Sequence, residues 1–150
     1  MSAETDLIKL YSQRILSLAS DIPRLGRLDA PDGTAKKRSP LCGSTVTVDL
    51  CVAGGRITDF AQDVKACALG QASAAIFGAN VIGRSAIDLQ RGRDQLAAML
   101  KDGGPVPEAP FDGLEVLKPA AEHRNRHASI LLCFDAALAA MEQAAQANCA

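Results

Sequence analysis

The chain has 150 residues, 48% of them apolar and 3% aromatic with no Trp, and a formal net charge of −1 at pH 7. A near-neutral chain so poor in aromatics excludes a basic nucleic-acid groove, a base-stacking platform and a charged membrane-surface patch. The length implies one domain over residues 1–150, able to bury about 70% of the surface its unfolded form exposes and so to form a core without staples.

The opening MSAETDLIKLYSQRILSL carries early acids and no basic stretch ahead of a continuous apolar run. It does not have the pattern of a secretory leader, no apolar run is long enough to span a bilayer, and the expected compartment is the cytoplasm. Leu7, Leu10, Tyr11, Ile15 and Leu18 fall at helical spacing and predict an amphipathic helix from Glu4 to about Ser20. DIPRLGRLDAPDGTAKKRSP follows, rich in Pro, Gly and Asp, and reads as a long loop of the kind that often carries function.

STVTVDLCV then alternates, with Val46, Val48, Leu50 and Val52 on one face and Thr45, Thr47, Asp49 and Cys51 on the other. That is a half-buried strand. Gly54-Gly55 supplies a two-residue hairpin turn, and a second strand runs from about Arg56 to Val64. Pairing Ala53 with Arg56 and extending the ladder residue by residue places Cys42 opposite Cys67, both at the open end of the hairpin. A slip of one residue would shift the register yet leave them neighbours. After Cys67 the small, apolar, non-alternating ALGQASAAIFGANVIG predicts a buried helix, so Cys67 stands at a helix start, where partial positive charge and free amides favour a thiolate. Ser85 reads as the N-cap of a further helix carrying Ile87, Leu89, Leu96, Met99 and Leu100. KDGGPVPEAPFDG is a loop, LEVLKPA a short helix, and HASILLCFDAALAAMEQAAQ a strong final helix.

Five cysteines in a reducing compartment point to metal binding or sulfur chemistry more than to disulfides. Cys42, in a loop before Gly43, and Cys67 form the candidate pair, against the plain alternative of small buried thiols. Two thiols do not complete a metal site, since zinc takes four donors and iron–sulfur clusters are held by several cysteines. Ser44, His127, His123 and Cys133 are the candidates for the remainder. His127, at the start of the final helix, can approach the open end of the hairpin. Cys133, within ILLCF, suits core packing, and Cys51 and Cys149 read as bystanders. Asp59, Asp63, Asp88 and Asp94 read as solvated surface carboxylates. No phosphate-binding loop, dinucleotide fingerprint, HExxH or Ser/His/Asp arrangement is present.

LYSQRILSLASDIPRLGRLD, LCGSTVTVDLCVAGGRITDFAQDVKACALGQASAA and RHASILL together resemble the IscU/SufU/NifU N-terminal family of iron–sulfur cluster assembly scaffolds over nearly the whole chain. The long stretch between Cys67 and His127 is similar to the SufU branch. The resemblance implies an α+β fold, a three-stranded antiparallel sheet with packed helices. It implies a protein that is not an enzyme but binds and transfers. Such a protein accepts sulfur from a cysteine desulfurase, binds iron, holds a transient [2Fe–2S] cluster or zinc, and serves apo iron–sulfur client proteins. By position it puts the ligands at Cys42, Cys67 and, as an auxiliary, His127, with Ser44 where the family has Asp. The family's third cysteine falls on Ala128 or Ser129, and EHRNRH stands where IscU-type scaffolds carry Pro-Pro-Val-Lys. The weakened ligand set leaves open a three-donor zinc site, a cluster completed by a second protomer or by glutathione, or a non-assembling paralogue acting as adaptor or regulator of the assembly machinery.

Overall fold

The computed structural model describes residues 12–148. Along the chain run α1 (Gln13–Ala19), β1 (Gly33–Arg38), β2 (Thr45–Ala53), β3 (Arg56–Lys65), α2 (Ala68–Asn80), α3 (Ala86–Asp102), a run of 3-10 turns (Asp112–Glu122) and α4 (Arg124–Asn148). The strands form one antiparallel sheet in the order β1-β2-β3, the α+β architecture the resemblance implied. Leu7, Leu10 and Tyr11 of the expected first helix lie outside the described residues, and α1 is its described part.

Alternation in β2 sends Val46, Val48 and Leu50 into the core beneath the helices. All four Phe of the chain, Phe60, Phe77, Phe111 and Phe134, meet there with ring centroids 4.6 to 5.8 Å apart. Gly54 and Gly55 both take positive φ, as a tight hairpin turn requires. Ser85 caps α3 as expected, and Asp88 returns the bond to the Ser85 backbone N–H. Asp88 is therefore a capping group and not simply a solvated carboxylate.

The structure corrects four expectations. First, the segment read as one long loop holds β1 at Gly33–Arg38. Only Gly33 of that strand is buried, and Lys36, Lys37 and Arg38 are exposed, so no apolar alternation marks it. Second, the hairpin keeps Ala53↔Arg56 and Val52↔Ile57 but then bulges at Thr58, giving Cys51↔Asp59 and ending at Thr45↔Lys65. The ladder therefore does not set Cys42 opposite Cys67. Third, α4 begins at Arg124, so His127 lies within its first turn and not at its start. Fourth, Arg124–Ala147 is long and apolar enough by length and composition to cross a bilayer, although most of it is buried inside the protein, against β1, β2, α2 and α3.

Asp49 alternates onto the sheet face away from the helices and is nonetheless only 1% exposed. It accepts hydrogen bonds from Arg27 Nε (2.6 Å), Arg27 Nη2 (3.1 Å), the Leu28 N–H (3.0 Å) and Thr34 Oγ1 (2.7 Å). The Arg27 hydrogen bond holds its carboxyl below the ordinary range; burial opposes this, and the Thr34 and Leu28 bonds add to it. Through Asp49 the sheet grips the connection between α1 and β1, and so holds β1 in place ahead of the turn that follows. Asp49→Ala strands the Thr34 and Leu28 donors while solvent-facing Arg27 rehydrates, so a loss of about 2–4 kcal/mol is expected in urea unfolding at pH 7. The contribution is complete above an unfolded carboxyl's pKa of about 3.9, and the deficit should shrink as pH falls below that toward the depressed folded value.

Candidate functional site

The β1–β2 connection is a tight turn. Ser39 N–H donates to Ser44 O (2.8 Å) and Gly43 N–H donates to Ser39 O (2.8 Å). The turn presents Cys42 to solvent and folds the Ser39 and Ser44 hydroxyls back onto its sulfur, at 3.3 and 3.1 Å. Ser39 and Ser44 are themselves buried. Beyond the end of β3, Cys67 is the N-cap of α2. The hairpin thus brings both thiols to its open end, as the sequence suggests, by way of a turn and a helix cap instead of a cross-strand pair.

Ser129, in the second turn of α4, completes the arrangement. Its hydroxyl is 2% exposed at the residue level, donates to Ser44 Oγ at 3.0 Å and lies 3.7 Å from Cys67 Sγ. Cys42, Ser44, Ser129 and Cys67 are therefore one continuous chain of sulfur and hydroxyl groups. Ser129 reaches it because α2 carries Gly70 at the crossing: a Cβ there would stand 2.6 Å from Ser129 Oγ. Ser129, Ser39 and Gly70 are site residues that sequence reasoning did not single out. Ser129 was legible only as one of two positions where a third thiol was missing, and nothing local marks Gly70.

Partial desolvation pushes the Cys42 thiol up, but hydrogen bonds from the Ser39 and Ser44 hydroxyls, the Ser44 backbone and the Ser129 hydroxyl outweigh it, and the pKa is lowered to about 7. An exposed thiol of that acidity is a nucleophile near neutral pH. Cys133 is the opposite case, a core residue as expected. It lies beside Ser73 Oγ (3.6 Å), and complete burial drives its thiol up to about 12. Cys51 approaches only Ala30 O, at 3.7 Å.

His127 does not join the thiols. Its Nε2 lies 3.0 Å from Ala120 O and 3.1 Å from Ala121 O. With two acceptors in front of it, that nitrogen carries its hydrogen and donates, closing the end of the 3-10 run. The ring also borders a cleft of ≈ 530 Å³ lined by Arg93, Lys101, Arg124 and Asp135 and by neither cysteine. Among the described residues, no three His, Cys, Asp or Glu side chains are grouped to hold a metal ion. Two thiols and two neutral hydroxyls likewise fall short of the four strong donors of a closed zinc site.

No family model and no curated protein matches the chain. Solved structures do. The crystal structure of a nitrogen-fixing NifU-like protein (N-terminal) from Brucella abortus is 45% identical, with a TM-score of 0.90, over 94% of this chain and 98% of that one. The chain belongs to the IscU/SufU/NifU family. A protein from thermophilic Fervidobacterium islandicum, assigned as an iron–sulfur cluster assembly scaffold for the SUF system, shares the fold at 19% identity and a TM-score of 0.80, covering 89% of this chain and 98% of that one. A hypothetical protein solved at 2.3 Å shares it at 22% and 0.78, covering 90% and 98%. As a family member the chain carries both cysteines of the hairpin's open end and puts serine hydroxyls at Ser44 and Ser129.

Alkylation of Cys42, followed by peptide mass spectrometry, should rise with the thiolate through a midpoint near pH 7. Ser44→Ala, which removes a donor to the sulfur, should move that midpoint upward, and Cys133 should stay unlabelled until the protein is unfolded.

Proposed function

We propose that this family member is an iron–sulfur assembly scaffold-like protein whose thiol pair accepts sulfur from a cysteine desulfurase and offers two of the ligands of a [2Fe–2S] cluster. The observation that carries the proposal is the joining of Cys42 and Cys67 through Ser44 and Ser129 at one end of the sheet. Cys42 is exposed and acidic, so it is the sulfur acceptor. Attack by its sulfur on the terminal, sulfane sulfur of a persulfide moves that atom to Cys42 and returns the donor's thiol. Ser39 and Ser44 stabilise the attacking anion by hydrogen bonding. The role is binding and group transfer, without turnover of a small substrate.

A [2Fe–2S] cluster takes four protein ligands. Cys42 and Cys67 supply two, and a second copy of the chain, or glutathione in part, would complete the set for delivery to apo iron–sulfur clients. His127 could enter the site only by releasing the Ala120 and Ala121 carbonyls. Ser44 acts as a hydrogen-bond donor to sulfur, since a neutral hydroxyl is a poor ligand for iron or zinc. The buried Ser129–Ser44 bond favours a second reading. Where the resemblance implies a carboxylate, at Ser44, and a thiolate, at Ala128 or Ser129, two hydroxyls satisfy each other, as suits an adaptor or regulator that keeps the fold without building clusters. For a chain with its thiols in this setting the cytoplasm is the proposed compartment.

Anaerobic reconstitution with ferrous iron, cysteine and a desulfurase, read by visible absorption, tests this. Wild type should develop a cluster band that is lost in both Cys42→Ser and Cys67→Ser. A band unchanged in both variants would overturn the proposal, and no band together with no sulfur on Cys42 would favour the adaptor. The double variant Ser44→Asp/Ser129→Cys should bind zinc or cluster more fully than wild type, because it turns the two central hydroxyls into charged donors.

A further inference from the structure

The geometry points to a sulfide-releasing activity in this dithiol site: a persulfide formed on Cys42 is resolved by Cys67, giving a Cys42–Cys67 disulfide and free hydrogen sulfide. The inference rests on Cys42 being the sulfur acceptor and adds what becomes of the sulfur.

Three observations carry it. The two sulfurs are bridged by two hydroxyls: Ser129 Oγ lies 3.7 Å from Cys67 Sγ and donates to Ser44 Oγ, which touches Cys42 Sγ. The donors can run in one direction, from the Cys67 S–H to Ser129 Oγ, from Ser129 to Ser44 Oγ at 3.0 Å, and from Ser44 to Cys42 Sγ at 3.1 Å. Finally, among the described residues no carboxylate or third thiol stands with this pair to hold a metal against it.

The step balances without an outside oxidant. The Cys67 sulfur attacks the inner sulfur of the Cys42 persulfide; the Cys67–Cys42 sulfur–sulfur bond forms, the bond between inner and outer sulfur breaks, and the outer sulfur leaves with that bonding pair as hydrosulfide. Two thiol-level sulfurs are oxidised to a disulfide while the sulfane sulfur is reduced to sulfide. The Cys67 proton passes to Ser129 and Ser44 and out to solvent at exposed Cys42, and the sulfide leaves into solvent as hydrosulfide. A thiol or dithiol reductant then returns the pair to its starting state. Ser129 is a positioning residue here: it touches both sulfurs' surroundings and neither forms nor breaks a bond to sulfur.

The test uses the full chain in a Cys51→Ser/Cys149→Ser background, reduced and freed of small thiols. It is mixed anaerobically with a cysteine desulfurase that has been charged with cysteine and desalted. Intact mass, peptide mapping and sulfide release are followed in a single turnover. The expected result is one sulfide per chain with a Cys42–Cys67 disulfide. Cys67→Ser should retain the persulfide on Cys42 and lose sulfide release by about tenfold or more. Ser129→Ala should release sulfide more slowly from each persulfide loaded on Cys42. A stable persulfide in wild type, or wild-type release from Cys67→Ser, overturns this inference while leaving Cys42 as acceptor. Failure of sulfur to reach Cys42 in wild type and Cys67→Ser alike overturns the acceptor reading, and this one with it.

Discussion

The approach of α4 to the beginning of α2 is the constraint on which the thiol site depends. At that crossing Gly70 leaves no side chain, so the Ser129 hydroxyl comes down beside the Cys67 sulfur and bonds Ser44. A methyl group there would collide with the hydroxyl and hold the helices apart, and Cys42 and Cys67 would become two unrelated thiols on neighbouring elements. Close packing makes this a matter of tenths of an ångström, because an interior near crystal density has no slack in which to absorb an added carbon.

From that contact the chemistry of each sulfur follows. Cys42 sits on a turn whose buried serines can only satisfy their hydroxyls inward, and they do so on the sulfur. The turn is therefore both scaffold and activator, and hydrogen bonding to the charged form outweighs the cost of partial desolvation. Cys133 shows what the same group becomes without such donors in sufficient number: an inert core thiol. The Asp49 clamp contributes at one remove, by binding the wandering α1–β1 connection to the outer face of the sheet, and so seating the strand that leads into the turn.

Family membership and site composition pull in different directions. The fold agrees with relatives of the NifU-like kind, whereas the groups between the two thiols are the neutral hydroxyls of Ser44 and Ser129, not charged donors. The resemblance puts a third thiol at Ala128 or Ser129, and the Ser129 side chain is a neutral hydrogen-bonding group instead of a soft anionic donor. Such a setting suits proton and sulfur transfer, and it unites the proposed acceptor role and the proposed release of sulfide, since both use a thiol next to a hydroxyl chain.

Periodicity and local chemistry in the sequence determined the hairpin, its glycine turn, the cap at Ser85, the buried helix after Cys67 and the meeting of two cysteines at one end, because these depend on side-chain alternation and on residues a few positions apart. Tertiary structure alone decided the rest. β1 is held by its neighbours and has no apolar pattern of its own. The Thr58 bulge shifted a ladder whose register looks regular in the sequence. His127 turned to the carbonyls of the 3-10 run instead of the thiols, since its orientation is set by what packs against α4. Ser129 became the centre of the site because Gly70, fifty-nine positions away in sequence, makes room for it. Contacts of that kind arise only where distant elements cross, and no local pattern records them.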